Sequence, residues 1–218
     1  MNLTDFDALS FDCYGTLIDW EAGLKAGLAR IARLSIPPVE VDALLESYGE
    51  AEAMIEAENP TAPYPQVIAR SAEIAGKAHG IAVPADLSAA IGASVPDWPA
   101  FPDSEDALHR LKARFRLIIL SNVDRASFAG SNERLGVEFD AILTAQDIGS
   151  YKPNPRNFEA LLERTREMGI GEGKLLHVAQ SLFHDHVPAK AAGLPTVWID
   201  RRGGLPGAGA TPIPRNVP

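Results

Sequence analysis

The chain has 218 residues, 46% hydrophobic and 22% charged, with a net charge of −9 and a single cysteine. This is ordinary globular composition, long enough for one domain or for a core with a modest insertion. An acidic chain without a Lys/Arg run lacks the basic footprint of a nucleic-acid binder, and the lone Cys13 excludes an intramolecular disulfide or a multi-cysteine zinc site.

Residues 1–5 are acidic rather than basic, and no apolar run is long enough for a signal peptide or a membrane span. A soluble, cytoplasmic protein is the expectation. The apolar run Ala8-Leu9-Ser10-Phe11 reads as a buried strand. It leads into Asp12-Cys13-Tyr14-Gly15-Thr16-Leu17, which places a carboxylate in a tight turn at a strand end. Open α/β sheets bind ligands at that edge, where an Asp can act as a nucleophile. An Asp that merely caps a turn is the other reading of this stretch. Cys13 beside it reads as a small strand-end residue.

From residue 18 the pattern turns helical. Residues 21–34 carry Leu24, Leu28 and Ile31 on one face, and Pro37-Pro38 stops them. Residues 39–58 form a second helix, with Val41, Leu44, Leu45, Tyr48 and Met54 near helical spacing. The prolines of residues 59–65 make a loop. Residues 66–79 and 84–93 are a third and a fourth helix, the latter with Pro84 near its first turn. No strand is expected between residues 17 and 96, which marks an all-helical insertion.

Strands and helices then alternate. Asp103 is placed to cap a helix running through Ala113. Strands are expected at 115–120, 139–143, 174–179 and 196–199, and helices after Asp124, at 155–168 and at 185–192. Residues 144–151 read as a loop, and the Gly/Pro-rich residues 203–218 as an irregular tail. Repeated strand–helix units imply an α/β fold with a parallel sheet covered on both faces. Polar groups then stand at four strand ends: Asp12, Ser121-Asn122, Lys152 and Asp185. His177, early in its strand, reads as an ordinary polar position, and so do His184 and His186. Tyr48, Tyr64 and Trp98 read as packing residues, although Tyr64 in its Pro-rich loop and His184 beside Asp185 are placed where they could line a cleft.

The ordered set Asp12-Cys13-Tyr14-Gly15-Thr16-Leu17, Leu120-Ser121-Asn122, Tyr151-Lys152-Pro153 and Asp185 resembles the haloacid dehalogenase superfamily, across roughly residues 6–201. The resemblance implies a Rossmann-like core of residues 1–17 and 97–202, with a helical cap of residues 18–96 inserted after the first strand. Tyr14 stands where the family's phosphatases carry a general-acid Asp, and a phenol with a pKa of about 10 suits that work poorly. Gln180 replaces one acid of their magnesium site. Two carboxylates about 4 Å apart repel by about 4 kcal/mol at an effective dielectric of 20, which a lysine can offset without a metal. Tyr14 also matches the metal-independent L-2-haloacid dehalogenases.

The resemblance therefore implies a hydrolase without a cofactor, acting on a small molecule. Asp12 attacks the halogen-bearing carbon, and water then cleaves the resulting ester to a 2-hydroxy acid. Lys152 keeps Asp12 ionised, and Asp185 orients Lys152 or the water. Ser121, Asn122 and the backbone N–H groups of Cys13 and Tyr14 receive the substrate carboxylate or halide. Thr16 fixes the nucleophile loop, and Gln180 and Ser181 lie beside the site. The alternative is a phosphohydrolase holding Mg2+ through Asp12, Tyr14 and Asp185. Relatives are often homodimers, but no stripe here identifies an interface. The dehalogenases' cap-arginine stretch has no counterpart, and Arg30, Arg33 and Arg70 read as solvated surface.

Overall fold

A computed structural model describes residues 2–201 and Gly203. The tail expected at 203–218 lies outside the described residues apart from Gly203. Five strands form one parallel sheet in the order β3-β2-β1-β4-β5: β1 Ala8–Phe11, β2 Arg116–Ser121, β3 Ala141–Thr144, β4 Leu175–Ala179 and β5 Thr196–Trp198. The first strand in sequence is thus the central one. All four of its residues are buried, as a strand covered on both faces requires, and its sequence is apolar except for Ser10.

Side chains alternate across the pleat and feed two cores. Leu9 and Phe11 of β1, with Leu117 and Ile119 of β2 and Leu176 and Val178 of β4, join the larger core, which continues into the helical insertion. Ala8, Ile118, Leu120 and Leu175 face the other side, against Phe158 and Leu161 of the helix Arg156–Glu167. The register pairs Phe11 with Ile119 and with Val178. Asp12 therefore leaves the sheet level with Leu120 and Ala179, and its N–H still donates to the Val178 carbonyl at 3.1 Å.

Between β1 and β2 come α1 Trp20–Ala32, α2 Val41–Glu58, α3 Tyr64–Ala78 and α4 Ala85–Gly92. The chain enters and leaves this segment through adjacent strands of backbone. Ile18 bridges antiparallel to Ala100, Asp19 N–H donates to the Pro99 carbonyl at 2.8 Å, and Phe101 N–H donates to that of Leu17 at 3.0 Å. Trp98 is buried at this junction and sets its edge against the Tyr14 ring, centroids 5.8 Å apart. The four helices thus start and finish beside the Asp12 turn.

The rest of the chain adds α5 Ser104–Lys112, α6 Arg125–Leu135, α7 Ala145–Ile148, α8 Arg156–Glu167 and α9 Val187–Ala191. Four expectations are corrected. Helix α7 occupies the expected loop, because Thr144 and Asp147 close a reciprocal capping box and Gly149 ends it at φ +72°. Asp103 makes no capping bond to α5; its carboxylate receives Arg201 Nη1 at 2.7 Å instead. Asp185 does not begin a helix: it lies inside a π-turn, Leu182–His186, that precedes α9. Met54, placed on the buried face of its helix, is exposed.

Close helix contact in the insertion depends on Gly92, where an added Cβ would lie 2.2 Å from the Pro65 carbonyl oxygen. Backbone cannot yield as a side-chain tip can. Gly92→Ala is expected to destabilise the protein by about 1–3 kcal/mol in urea unfolding, the usual cost of overpacking.

Candidate active site

Lys152 reaches the centre of the sheet edge from the loop after α7. Its ammonium donates to Asp12 Oδ1 at 2.9 Å, Asp185 Oδ1 at 2.7 Å and the Leu120 carbonyl at 3.0 Å. An ammonium has three N–H donors, so all are used within the protein. The side chain is almost wholly buried. Asp12 Oδ2 accepts from Thr16 Oγ1 at 2.8 Å, and Thr16 Oγ1 in turn accepts the Gln180 N–H at 2.9 Å. Gly15, at φ +90°, makes the turn that lets Thr16 reach back to Asp12.

The interior His177 belongs to this network, contrary to its reading as an ordinary polar position. Its Nε2 lies 3.0 Å from Asp185 Oδ1, and its Nδ1 lies 2.9 Å from Ser10 Oγ on the neighbouring strand. Ser10 and His177 are register partners. A carboxylate only accepts, so Nε2–H is the donor to Asp185. The result is a buried chain Ser10–His177–Asp185–Lys152–Asp12.

Charge in this chain is uneven. Burial works against ionised Asp185, but the Lys152 ammonium and the His177 hydrogen bond hold its carboxyl below the usual range. Burial pushes Asp12 above that range; Lys152 opposes the effect and Asp185 adds to it. One ammonium therefore serves Asp185 first and Asp12 second. Lys152 is itself held above the ordinary lysine range: burial opposes its charge, but the two carboxylates outweigh it.

The cleft above these groups is small, about 60 Å³, where one water needs about 10–15 Å³. It has room for about half a dozen heavy atoms. Asp12, Tyr14, Ser121, Asn122, Lys152, Gln180, Ser181 and Asp185 all line it. Cys13 and Thr16 do not; both stand behind Asp12, Cys13 fully buried with its thiol pushed up chiefly by burial.

Several expected contact groups are already occupied. Asn122 clamps the Lys152 peptide, accepting its N–H at 2.7 Å and donating to its carbonyl at 3.0 Å. Ser181 caps the π-turn by accepting the His184 N–H at 3.0 Å, and the Tyr14 hydroxyl pairs with Ser131 Oγ at 2.9 Å. Ser121 Oγ and Asp185 Oδ2, by contrast, are buried without a hydrogen-bond partner.

The insertion supplies Trp20, Glu52, Glu56 and Tyr64 to the same cleft. Trp20, Glu52 and Glu56 are not expected there from the sequence, whereas Tyr64 is placed where it could face the cleft. Tyr48 and Tyr64 donate to Glu52 Oε1 at 2.9 and 3.2 Å, and Asn122 Nδ2 donates to Glu56 Oε2 at 3.3 Å. Burial raises Glu52 to about 7, although both tyrosine hydroxyls pull it down. Glu56 is pushed well up by burial and next by Glu52, with Lys152 and Asn122 opposing. Positions 48, 52 and 56 are four apart, and so share one face of α2 with the buried Leu45 and Ile55. That stripe was the available signal. Arg30, Arg33 and Arg70 are exposed, as expected. His184 also lines the cleft and is lowered to about 4, mainly by burial, so it carries no charge near neutrality.

These residues do not fit a divalent cation. Magnesium needs several hard oxygen ligands in octahedral geometry. Here an ammonium is bonded to both Asp12 and Asp185, a hydroxyl occupies the other oxygen of Asp12, and Tyr14 brings no carboxylate. Among the described residues no three His, Cys, Asp or Glu side chains converge to hold an ion.

A family model described as haloacid dehalogenase-like hydrolase matches residues 6–185. A curated relative, (S)-2-haloacid dehalogenase 4A of Burkholderia cepacia, is 30% identical over 121 residues, which is 54% of this chain and 51% of the relative. The match thus spans about half of that relative's length. Among solved structures, the L-2-haloacid dehalogenase PA0810 is 26% identical with a TM-score of 0.71, covering 90% of this chain and 84% of that one. The HAD-hydrolase YfnB from Bacillus subtilis, solved bound to magnesium, shares the fold at 20% identity and a TM-score of 0.74, covering 89% and 88%. No helix among the described residues is long and apolar enough to cross a membrane.

Removing the ammonium strands two buried carboxylates. Lys152→Met is expected to cost about 3–5 kcal/mol at pH 7, as for a broken buried ion pair. Asp185 is depressed in the folded protein, so its contribution is complete above the unfolded carboxylate pKa of about 4 and is lost as pH falls below that toward the folded value. The gap between wild type and variant in urea unfolding should therefore persist from pH 7 to about pH 4 and shrink below it.

Proposed function

The chain belongs to the haloacid dehalogenase-like hydrolases, and on that premise we propose that it displaces halide from a small halogenated carbon compound through an ester on Asp12, without a metal. The carrying observation is the Lys152 ammonium, which has both Asp12 and Asp185 as partners and keeps no N–H for a ligand. It acts as a counter-ion to the nucleophile. A cleft that holds about half a dozen heavy atoms suits a substrate of two or three carbons.

The steps follow from the residues present. A carboxylate oxygen of Asp12 bonds to the halogen-bearing carbon, and the carbon–halogen bond breaks with its electron pair leaving as halide. Halide is a stable leaving group, so no general acid is required, and Tyr14 serves as a wall of the cleft. Water then adds to the Asp12 carbonyl carbon, and the alcohol product leaves. The net reaction consumes one water and releases one proton with the halide. Asp185 Oδ2, buried and unpartnered at the cleft, is the acceptor proposed to orient that water. Helices α1 to α4, in residues 18–96, form the cap that excludes bulk water, which strengthens every charge interaction inside. The names of the relatives make 2-haloacids the reference substrates, with a 2-hydroxy acid as product.

The magnesium-dependent phosphohydrolase reading requires an ion on Asp12 and Asp185 in addition to the ammonium they already share. It predicts phosphate release from p-nitrophenyl phosphate that a chelator abolishes, with no halide release from halogenated compounds.

Turnover in heavy-oxygen water followed by mass spectrometry tests the ester directly. Label is expected in the peptide containing Asp12 after repeated turnovers, and Asp12→Asn should reduce halide release by at least about a thousandfold, as loss of a nucleophile does. Unlabelled Asp12 in a protein that releases halide would reject the mechanism. Attack needs Asp12 ionised, and its carboxyl is raised. The acid limb of kcat/KM should therefore lie above the ordinary Asp value of about 4.

A further inference from the structure

We propose that Trp20 and Gln180 set the substrate's chain length: together they close the cleft beside Asp12 and shut off a larger recess beyond it, so that longer carbon chains are refused. This rests on the Asp12-ester reading and names the residues that size its substrate.

The cleft over Asp12 measures about 60 Å³, and a recess of about 260 Å³ adjoins it; Trp20 and Gln180 are the two described residues that line both. They stand close to the reacting group. Gln180 N–H donates to Thr16 Oγ1 at 2.9 Å, and Thr16 Oγ1 donates to Asp12 Oδ2 at 2.8 Å. Trp20 is the first residue of α1, fixed there by the Asp19 cap, which accepts the Ala22 N–H at 3.1 Å. Its indole rests on the Gly15 turn, where an added Cβ would lie 2.9 Å from Trp20 Nε1 and 3.5 Å from Gln180 Oε1. Ring and amide thus meet over one glycine, and a larger residue there would drive the indole away.

Bonding singles out this wall as the thin one. The Gln180 backbone is pinned on both sides, by Thr16 and by Trp198 Nε1, which donates to its carbonyl at 2.9 Å. Its side-chain amide and the Trp20 indole N–H hydrogen-bond to no described residue, so packing alone holds the barrier. Tyr64 also borders a further recess, but its hydroxyl donates to Glu52 and its ring packs against Tyr14 and Tyr151. The floor is the tied set of Asp12, Lys152 and Asp185. Beyond Trp20 and Gln180 the far rim is fixed by contacts of its own. Arg201 lies 4.2 Å over the Phe101 ring and donates to the Thr16 carbonyl at 2.9 Å, and Lys25 pairs with Asp42 at 2.8 Å. A carbon chain growing towards this wall is stopped by one ring and one amide and has room immediately past them. Close-packed walls yield little to an extra methylene.

The test compares halide release from 2-chloropropionate, 2-chlorobutyrate and 2-chlorohexanoate, three compounds alike at the reacting carbon. In the wild type kcat/KM is expected to fall by at least about tenfold at the first added carbon and further at hexanoate, the usual worth of a methylene that does not fit. Trp20→Ala should raise the hexanoate-to-propionate ratio by at least about tenfold. Trp20→Phe keeps a ring in place and should hold the wild-type ratio. Gln180→Ala leaves the backbone bonds untouched and should shift the ratio the same way by less. A wild type that takes hexanoate as readily as propionate, or an unchanged ratio in Trp20→Ala and Gln180→Ala, would overturn the proposal. Should Trp20→Ala fail to fold, an unchanged ratio in Gln180→Ala alone overturns it.

Binding of halogen-free propionate and hexanoate, measured by NMR titration of wild type and variants, needs no turnover. Hexanoate binding gained in the Trp20→Ala or Gln180→Ala protein, with no halide release from any compound, would uphold this wall and sink the Asp12 reading. Label in Asp12 with one chain-length profile shared by wild type and variants would do the reverse. No binding of either acid to any of the proteins would also count against the wall.

Discussion

Three carbonyl and carboxylate oxygens meet one buried ammonium at the end of the central strand, and the site is built outward from that contact. Lys152 bonds Asp12, Asp185 and the Leu120 carbonyl, so it ties β1, β2 and the turn after β4 together at the point where the sheet opens. An isolated buried ammonium or carboxylate is very costly. Each member is therefore tolerable only while the others are present. The same contact sets the charge order: Asp185 is held ionised, and Asp12 becomes the titratable member facing the cleft.

Around this trio the protein uses polar groups to position rather than to bind. Asn122 holds the Lys152 peptide, Ser181 starts the π-turn that presents Asp185, and Thr16 steadies Asp12. His177 and Ser10 reach Asp185 from inside the sheet. That leaves few polar groups for a ligand, among them the unpartnered Ser121 hydroxyl and the free oxygens of Glu52 and Glu56. A site with most of its hydrogen bonds satisfied internally is rigid, and the chemistry it proposes depends on that rigidity.

The helical insertion shares in the site because both of its connections lie beside the Asp12 turn, joined by the Ile18–Ala100 bridge. It brings acidic groups where the family's dehalogenases are expected to bring a cationic one. Function resides in the site, and the wall of that site comes from the part of the chain least constrained by the sheet.

The amino-acid sequence alone determined the parallel α/β architecture, the helical insertion and the convergence of Asp12, Ser121, Lys152 and Asp185. Those features are written locally, as apolar runs, helical spacing and polar residues at strand ends. Tertiary structure decided the rest. His177 joins the network only because the β1–β4 register sets it beside Ser10 and the π-turn folds Asp185 back over it. Glu52 and Glu56 are surface-like acids in a helical sequence until α2 packs over the sheet edge. Cys13, Thr16, Asn122 and Ser181 stand in the expected neighbourhood, yet only the hydrogen-bond geometry assigned them to support. Local pattern places a residue near a site; whether its polar atoms are free or already paired depends on neighbours far away in the chain.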